Sequence, residues 1–252
     1  MKSVIIIKNE IFKGRCPNMK VTAQEMANLI KEGQNIVFLT GAGVSTPSGI
    51  PDYRSVSGLY TKSGLKEPEY LLSRKALLND TEDFHRFIKQ LYQKEAKPNV
   101  IHEKMAKLER LKNVTVITQN IDGLHTKAGS KKVIEFHGTL ATCYCEKCQQ
   151  SISVEEFLHH FEHEHCNGII RPNVVLYDEQ IDQDNISRSL RALAIADTAV
   201  IVGTSFRVYP FASLIQYAAR DVKILTINKE PVDSVKADAK FLGDAVDVFE
   251  LL

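Results

Sequence analysis

Apolar residues along the chain fall into two kinds of run. Short continuous runs read as strands buried on both faces: NIVFLT (35–40), VTVITQN (114–120), KVIEFHG (132–138), NVVLY (173–177), TAVIVGTS (198–205), VKILTIN (222–228) and AVDVF (245–249). Elsewhere the period is that of a helix. VTAQEMANLIKE (21–32) puts Met26, Leu29 and Ile30 on one face, with Thr22 as candidate cap. NVIHEKMAKLERLK (99–112) keeps Ile101, Met105, Leu108 and Leu111 in step, and further helices are expected over 78–95, 185–196 and 210–220. Strands alternating with helices predict an α/β fold, a doubly wound and mostly parallel sheet covered on both faces. Such folds bind ligands beyond the carboxyl ends of their strands.

Polar and glycine-rich groups collect at those ends. LTGAG, ITQNIDGLH, EFHG and VGTSF each leave an apolar strand, and TINKE closes the strand that starts at Val222. Five loops on one sheet edge mark one crevice. Residues 140–172 interrupt the rhythm and carry the clustered cysteines. Residues 1–19 show no clear period; they read as an N-terminal extension, with Met19 a second candidate start, or as an ordered strand over SVIIIK.

Composition narrows the class. The 252 residues are 44% hydrophobic and 25% charged, and 32 Lys and Arg balance 31 Asp and Glu. Nothing general favours nucleic acid or an anionic membrane as partner. No apolar run approaches the ~20 residues of a membrane helix, and MKSVIII is short for a signal-peptide core. The expectation is a soluble, cytoplasmic protein with no membrane partner and no specific nucleic acid. Five cysteines (Cys16, Cys143, Cys145, Cys148, Cys166) form an odd set, which argues against a disulfide framework.

The turn Gly41-Ala42-Gly43 follows a strand, as in dinucleotide sites, where glycine lets the backbone approach a pyrophosphate. The third glycine of that fingerprint is absent, since Thr46 stands there with Pro47 behind it. Residues 58–70 show no strand ending in Asp or Glu, which disfavours hydride transfer. Gln119, Asn120 and Asp122 offer amides and a carboxylate suited to ribose hydroxyls and a carboxamide; a capped turn would use the same residues. His137 sits at a strand end, where a neutral imidazole can take a proton. Cys145 and Cys148 make a C-x2-C pair, and His163 and Cys166 follow at the distance of a second zinc pair. Cys143 or His165 as fourth ligand, and a site without metal, are the alternatives. A redox pair would want a thioredoxin-like context, which is absent.

GAGVSTPSGIPDYR, TQNIDGLH, EFHG, RPNVVLY and GTSFRVYP resemble the signature motifs of the sirtuins, NAD-dependent protein lysine deacylases, from about Val21 to the C-terminus. The resemblance implies one catalytic domain over 20–252. Its Rossmann-like lobe covers 20–54, 98–138 and 173–252, a cofactor loop and helical insert 55–97, and a zinc lobe 139–172. It implies NAD as a consumed co-substrate, a structural Zn2+ and acetylated proteins as substrates. The acyl oxygen would attack the nicotinamide ribose, nicotinamide would leave, and an imidate would resolve to lysine and O-acetyl-ADP-ribose. By motif, His137 would be the general base and Asn120 would place water. Gly41, Ala42, Gly43, Thr46, Asp52, Tyr53 and Arg54 would line the cofactor loop. Gln119, Asn120, Ile121 and Asp122 would meet ribose and carboxamide, and Gly203, Thr204 and Ser205 phosphate and ribose. Asn228, Lys229, Glu230 and Val246 would surround the adenosine, and Val175, Tyr177 and Val208 the acyl-lysine. Tyr53 replaces the family's usual Phe, Asp178 its usual Gly, and Arg207 a usually apolar residue. No Tyr-x-x-Arg pair follows Arg54, which points to uncharged acyl groups. A mono-ADP-ribosyltransferase and a non-catalytic NAD-binding module are the rival readings.

Overall fold

The computed structural model describes residues 19–51, 67–92 and 95–252; the expectations for 1–18 lie outside them. Strands run β1 (Met19–Lys20), β2 (Asn35–Thr40), β3 (Asn113–Thr118), β4 (Val133–Glu135), β5 (Gly138–Cys145), β6 (Ser151–Ile152), β7 (Glu162–His163), β8 (Gly168–Val174), β9 (Thr198–Val202), β10 (Lys223–Asn228) and β11 (Ala239–Leu242). Seven of them form a parallel sheet in the order β1-β11-β10-β9-β2-β3-β4. Inside the edge strand β1, this is the 3-2-1-4-5-6 order of doubly wound dinucleotide folds. The order reverses between β2 and β9. A second, antiparallel sheet, β6-β5-β8-β7, forms the small lobe.

The continuous apolar runs are explained by burial on both faces. Along β2, Ile36 and Phe38 join a core with Met26, Ile30, Ile101 and Met105, while Val37 and Leu39 face the core of Ile117, Phe136, Ile201 and Phe211. Helix Ala23–Glu32 begins on a capping box: Thr22 Oγ1 accepts the Glu25 amide, and Glu25 accepts the Thr22 amide. At the amino ends of the strands, Asp197 accepts the amides of Gln34 and Asn35 at 3.0 and 2.8 Å and the Thr198 hydroxyl at 2.8 Å.

Several expectations are corrected. AVDVF is a helix, Ala245–Phe249, not a strand: Asp244 caps the Val246 amide, and Ala245, Val248 and Phe249 bury one helical face. The helix expected over 78–95 is two, Arg74–Asn79 and Thr81–Leu91, broken at Asp80, whose φ of −135° is not helical. Residues 211–217 wind as a 3-10 helix, with Phe211 and Leu214, three apart, on the buried face. NVVLY is not a strand of the large sheet, because β8 ends at Val174 and pairs with β5. The small sheet spans 138–174. Sequence reading missed β11, where Lys240 interrupts the apolar run.

The strand reversal brings two turns into backbone contact. The Gly41 amide donates to Val202 O at 3.3 Å and the Gly43 amide to Gly203 O at 2.8 Å. A Cβ on Gly43 would stand 2.7 Å from Gly203 Cα, and Gly203 itself has φ +61°. No backbone atom there can move aside without parting β2 from β9. Gly43→Ala is therefore expected to lose roughly 1–3 kcal/mol of stability through overpacking, read as a lower urea midpoint at unchanged slope. A variant as stable as the parent would refute this account of the turn.

Candidate functional site

The crevice at the reversal is stitched from the loops after β2, β3 and β9. The chain after Gly41 does not enter an α-helix; it makes two short 3-10 turns, Ala42–Val44 and Thr46–Ser48. Thr46 Oγ1 donates to Gly43 O at 3.1 Å, closing the first onto the second. Gln119 Nε2 donates to Thr204 Oγ1 at 2.9 Å. Asn120 Nδ2 donates to Gly41 O and to Ser45 Oγ, both at 3.0 Å, and Ser45 Oγ donates to Asp122 Oδ2 at 2.7 Å. Asn120 and Asp122 are thus held rigidly by a serine that sequence reasoning left out. Its signal was available, a hydroxyl two residues beyond the glycine turn. Because the Gly41 and Gly43 amides are engaged within the protein, those glycines serve the crevice by giving space.

His137 lies between β4 and β5. Its Nδ1 is 3.3 Å from Gln119 O. A carbonyl only accepts, so Nδ1 carries the proton and Nε2 the lone pair. Burial lowers the histidine's pKa, only partly offset by that carbonyl, so the ring is neutral near pH 7. Phe136 and Phe211 lie edge-on and tilted to it, at 5.5 and 6.2 Å. The His137 carbonyl accepts the Val175 amide at 2.9 Å. Beyond half-buried Val175, Tyr177 and Val208 expose 49% and 44% of their surface, large for apolar side chains beside a polar crevice. Asp178 stands at φ +72°, the left-handed region that glycine fills without strain.

At the other end, Asn228 Nδ2 donates to Glu230 O at 2.9 Å and Lys229 pairs with Asp244 at 3.0 Å, one residue before Ala245 and two before Val246. The Ile121 carbonyl accepts the Leu140 amide, and Thr204 Oγ1 accepts that of Phe206; Ala42 and Ser205 are partly buried on the loops after β2 and β9. Asp52, Tyr53 and Arg54, and the segment read for acyl choice, lie outside the described residues. Behind the crevice two histidines are buried. His125 Nε2 is 3.1 Å from Thr40 Oγ1, and His102 Nδ1 accepts the Asn99 amide. Burial pushes His125 down to about 3 and His102 to about 4, the latter against the nearby Asp122 carboxylate.

In the small lobe Cys145, Cys148, His163 and Cys166 bring one ligand atom each to within 4.8 Å of one another. Cys145 Sγ to Cys166 Sγ, Cys148 Sγ to His163 Nδ1 and Cys166 Sγ to His163 Nδ1 are each 3.4 Å. A tetrahedral zinc shell with ~2.3 Å Zn–S and ~2.0 Å Zn–N bonds has edges of about 3.5–3.8 Å, so donors 3.4 Å apart need only small outward shifts and the donor set fits. Burial opposes ionisation of Cys145, yet the amides of Cys148 and Lys147 bring its thiol down to about 6. Gly168 leaves room for the group, since a Cβ there would meet Cys145 Sγ at 2.6 Å. Cys143 is elsewhere, buried with its sulfur 3.5 Å from Tyr92 Oη. His165 lies edge-on to the His163 ring and outside the group.

Comparison with known proteins gives one answer. The Sir2 family model matches residues 41–210. An NAD-dependent protein deacetylase of Listeria innocua is 52% identical over 221 residues, 87% of this chain and 96% of that protein. One of Enterococcus faecalis is 47% identical, over 84% and 89%. Among solved structures, a Sir2 homologue in complex with NAD has a TM-score of 0.82 at 34% identity, covering 93% of this chain and 94% of its own. A Sir2 variant with a deacetylated p53 peptide and 3'-O-acetyl ADP ribose has 0.81 at 35%, covering 92% and 97%.

Two outcomes follow from this geometry. Zinc measured by atomic spectroscopy should approach one ion per chain in the wild type and in Cys143→Ser, and fall in His163→Ala; the reverse pattern would exclude His163. For the buried histidines, folded-state pKa values lie below the unfolded value of about 6.5. The unfolded chain therefore takes up protons first, and stability present above pH 6.5 is lost as pH falls toward 4 and then 3. Each pH unit in that window removes up to about 1.4 kcal/mol per histidine. Urea unfolding from pH 7.5 to 5 should show the slope, and His125→Gln should flatten it. An equal slope in the variant would show that other groups carry it.

Proposed function

This chain belongs to the Sir2 family, and from that premise we propose that it is an NAD-dependent protein lysine deacetylase. It transfers the acetyl group of acetyl-lysine to ADP-ribose and releases nicotinamide and O-acetyl-ADP-ribose. One observation carries the reading: His137 donates its Nδ1 proton to Gln119 O and leaves Nε2 without a partner among the described residues, beside a crevice in which Asn120, Ser45 and Asp122 are already bonded into place. NAD supplies the electrophilic ribose carbon. The chain supplies position and a base. Gln119, Asn120, Ile121 and Asp122 take the ribose and carboxamide; Ala42, Thr46, Asp52, Tyr53, Arg54, Gly203, Thr204 and Ser205 take the rest of the nicotinamide half and the phosphates. Asn228, Lys229, Glu230 and Val246 hold the adenosine. Asn120 is fixed through both Nδ2 protons, and its Oδ1 would orient water.

His137 Nε2 accepts the ribose hydroxyl proton; a neutral imidazole in a low-dielectric wall suits that task near neutral pH. Val175, Tyr177 and Val208 take the acyl-lysine, whose neutral amide loses far less than an ammonium on entering apolar surroundings. Zinc, held by Cys145, Cys148, His163 and Cys166, acts structurally by closing the small lobe. No helix among the described residues is long and apolar enough to cross a membrane. We place the enzyme in the cytoplasm, where thiols stay reduced, in keeping with its free cysteines.

The test is to incubate the protein with NAD and an acetyl-lysine peptide and analyse products by mass spectrometry. Free lysine peptide with O-acetyl-ADP-ribose is expected; peptide gaining ADP-ribose instead would mark a transferase. His137→Ala should lose ~10²–10⁴-fold in turnover with NAD affinity retained. Turnover close to wild type in that variant would remove His137 from the chemistry.

A further inference from the structure

A charged cluster ties the small lobe to the acyl-lysine segment. Arg171, on β8, is 2% exposed. Its Nη1 donates to Glu179 Oε1 at 2.5 Å and to Glu146 Oε1 at 3.2 Å, and its Nη2 donates to Glu179 Oε2 at 2.9 Å and Val174 O at 2.6 Å. Arg74 reaches both carboxylates from the helical insert, bonding Glu146 and lying 3.5 Å from Glu179. Glu146 stands between the zinc ligands Cys145 and Cys148. Two cations thus meet two anions, one anion from the metal loop and one from the segment after β8.

The segment uses this cluster directly. Glu179 Oε2 accepts the Leu176 amide at 2.9 Å, while the Val175 amide is held by His137 O at 2.9 Å. Tyr177 is pinned on both sides, its amide to Leu72 O at 2.8 Å and its carbonyl to the Arg74 amide at 3.0 Å. Residues 175–179 therefore hang between the catalytic histidine and the ionic cluster, with Tyr177 and Asp178 exposed outward. Glu179 thereby satisfies the amide of buried Leu176 and fixes the backbone of the segment that carries Val175 and Tyr177. Removing one partner of such a group leaves a buried charge unmatched, and the segment would drift first.

We propose that Glu179 is a positioning residue for the acyl-lysine peptide, and that Glu146, through Arg171, makes peptide affinity depend on the zinc lobe. This rests on the deacetylase reading. It goes beyond it in assigning the lobe a part in substrate recognition.

The experiment compares wild type, Glu179→Gln, Glu146→Gln and the double variant; Gln keeps the shape and the acceptor for Leu176 but not the charge. Steady-state kinetics with an acetyl-lysine peptide at saturating NAD are joined to NAD calorimetry and hydrogen exchange. Each single variant should raise the peptide KM about tenfold while kcat and NAD affinity stay within about twofold. The double variant should fall short of the product of the singles, because both act on Arg171. Exchange at 174–180 should quicken in Glu146→Gln while 35–40 stays protected. An unchanged KM overturns the proposal. So does a parallel loss of kcat, NAD affinity and protection throughout, which would mark general damage. If the wild type turns over no acetyl peptide, the deacetylase reading fails by itself. The exchange of 174–180 then decides alone whether the ionic cluster holds the segment.

Discussion

The separation of β2 from β9 governs the rest. Two strands paired in a parallel sheet lie about 4.8 Å apart, and their following turns must separate or touch. Here they touch: the Gly43 amide meets Gly203 O, with no Cβ on either side. That contact sets how far Thr204 lies from Gln119 and Ser45 from Asn120. Everything polar in the crevice is then a short bond from something equally fixed. Preorganised dipoles of this kind need little rearrangement when charge develops.

Much of this is legible in the sequence. A strand buried on both faces cannot hide its apolar run, so β2, β3, β9 and β10 stood out, as did the glycine turn and the C-x2-C pair. What was not legible has physical causes. Five apolar-rich residues at 245–249 suit a strand or a helical turn, and Asp244 decides by capping. Lys240 hid β11, whose pairing to β10 and β1 is a backbone matter. Ser45 was overlooked because its role depends on Asn120 and Asp122, 75 and 77 residues away. The Arg171–Glu179 pairing is local, yet Glu146 and Arg74 enter it only through tertiary placement.

The small lobe shows how a weak core is supplemented. Its sheet of four strands, two of them only two residues long, shares one apolar cluster with the helical insert, where Phe84 and Ile88 meet Phe157 and Ile170. A unit of that size rarely folds on burial alone. Three thiols and an imidazole gathered by turns at Gln149 and Asn167, both in left-handed backbone, provide a second source of free energy once metal is bound. The imidazole also leaves the shell one negative charge short of a four-thiolate site, beside the carboxylate of Glu146.

The central strand has a history as well as a place. β2 ends at Thr40, while its β9 neighbour begins at Thr198. Made at about 5–20 residues per second, the nascent chain holds NIVFLT with one hydrogen-bonding edge open for roughly ten to thirty seconds. An apolar strand edge is a template for wrong partners. The helix Ala23–Glu32, complete before β2 and equipped with its own capping box, is at hand to cover one face of that strand, but the edge itself waits until Thr198–Val202 has been made.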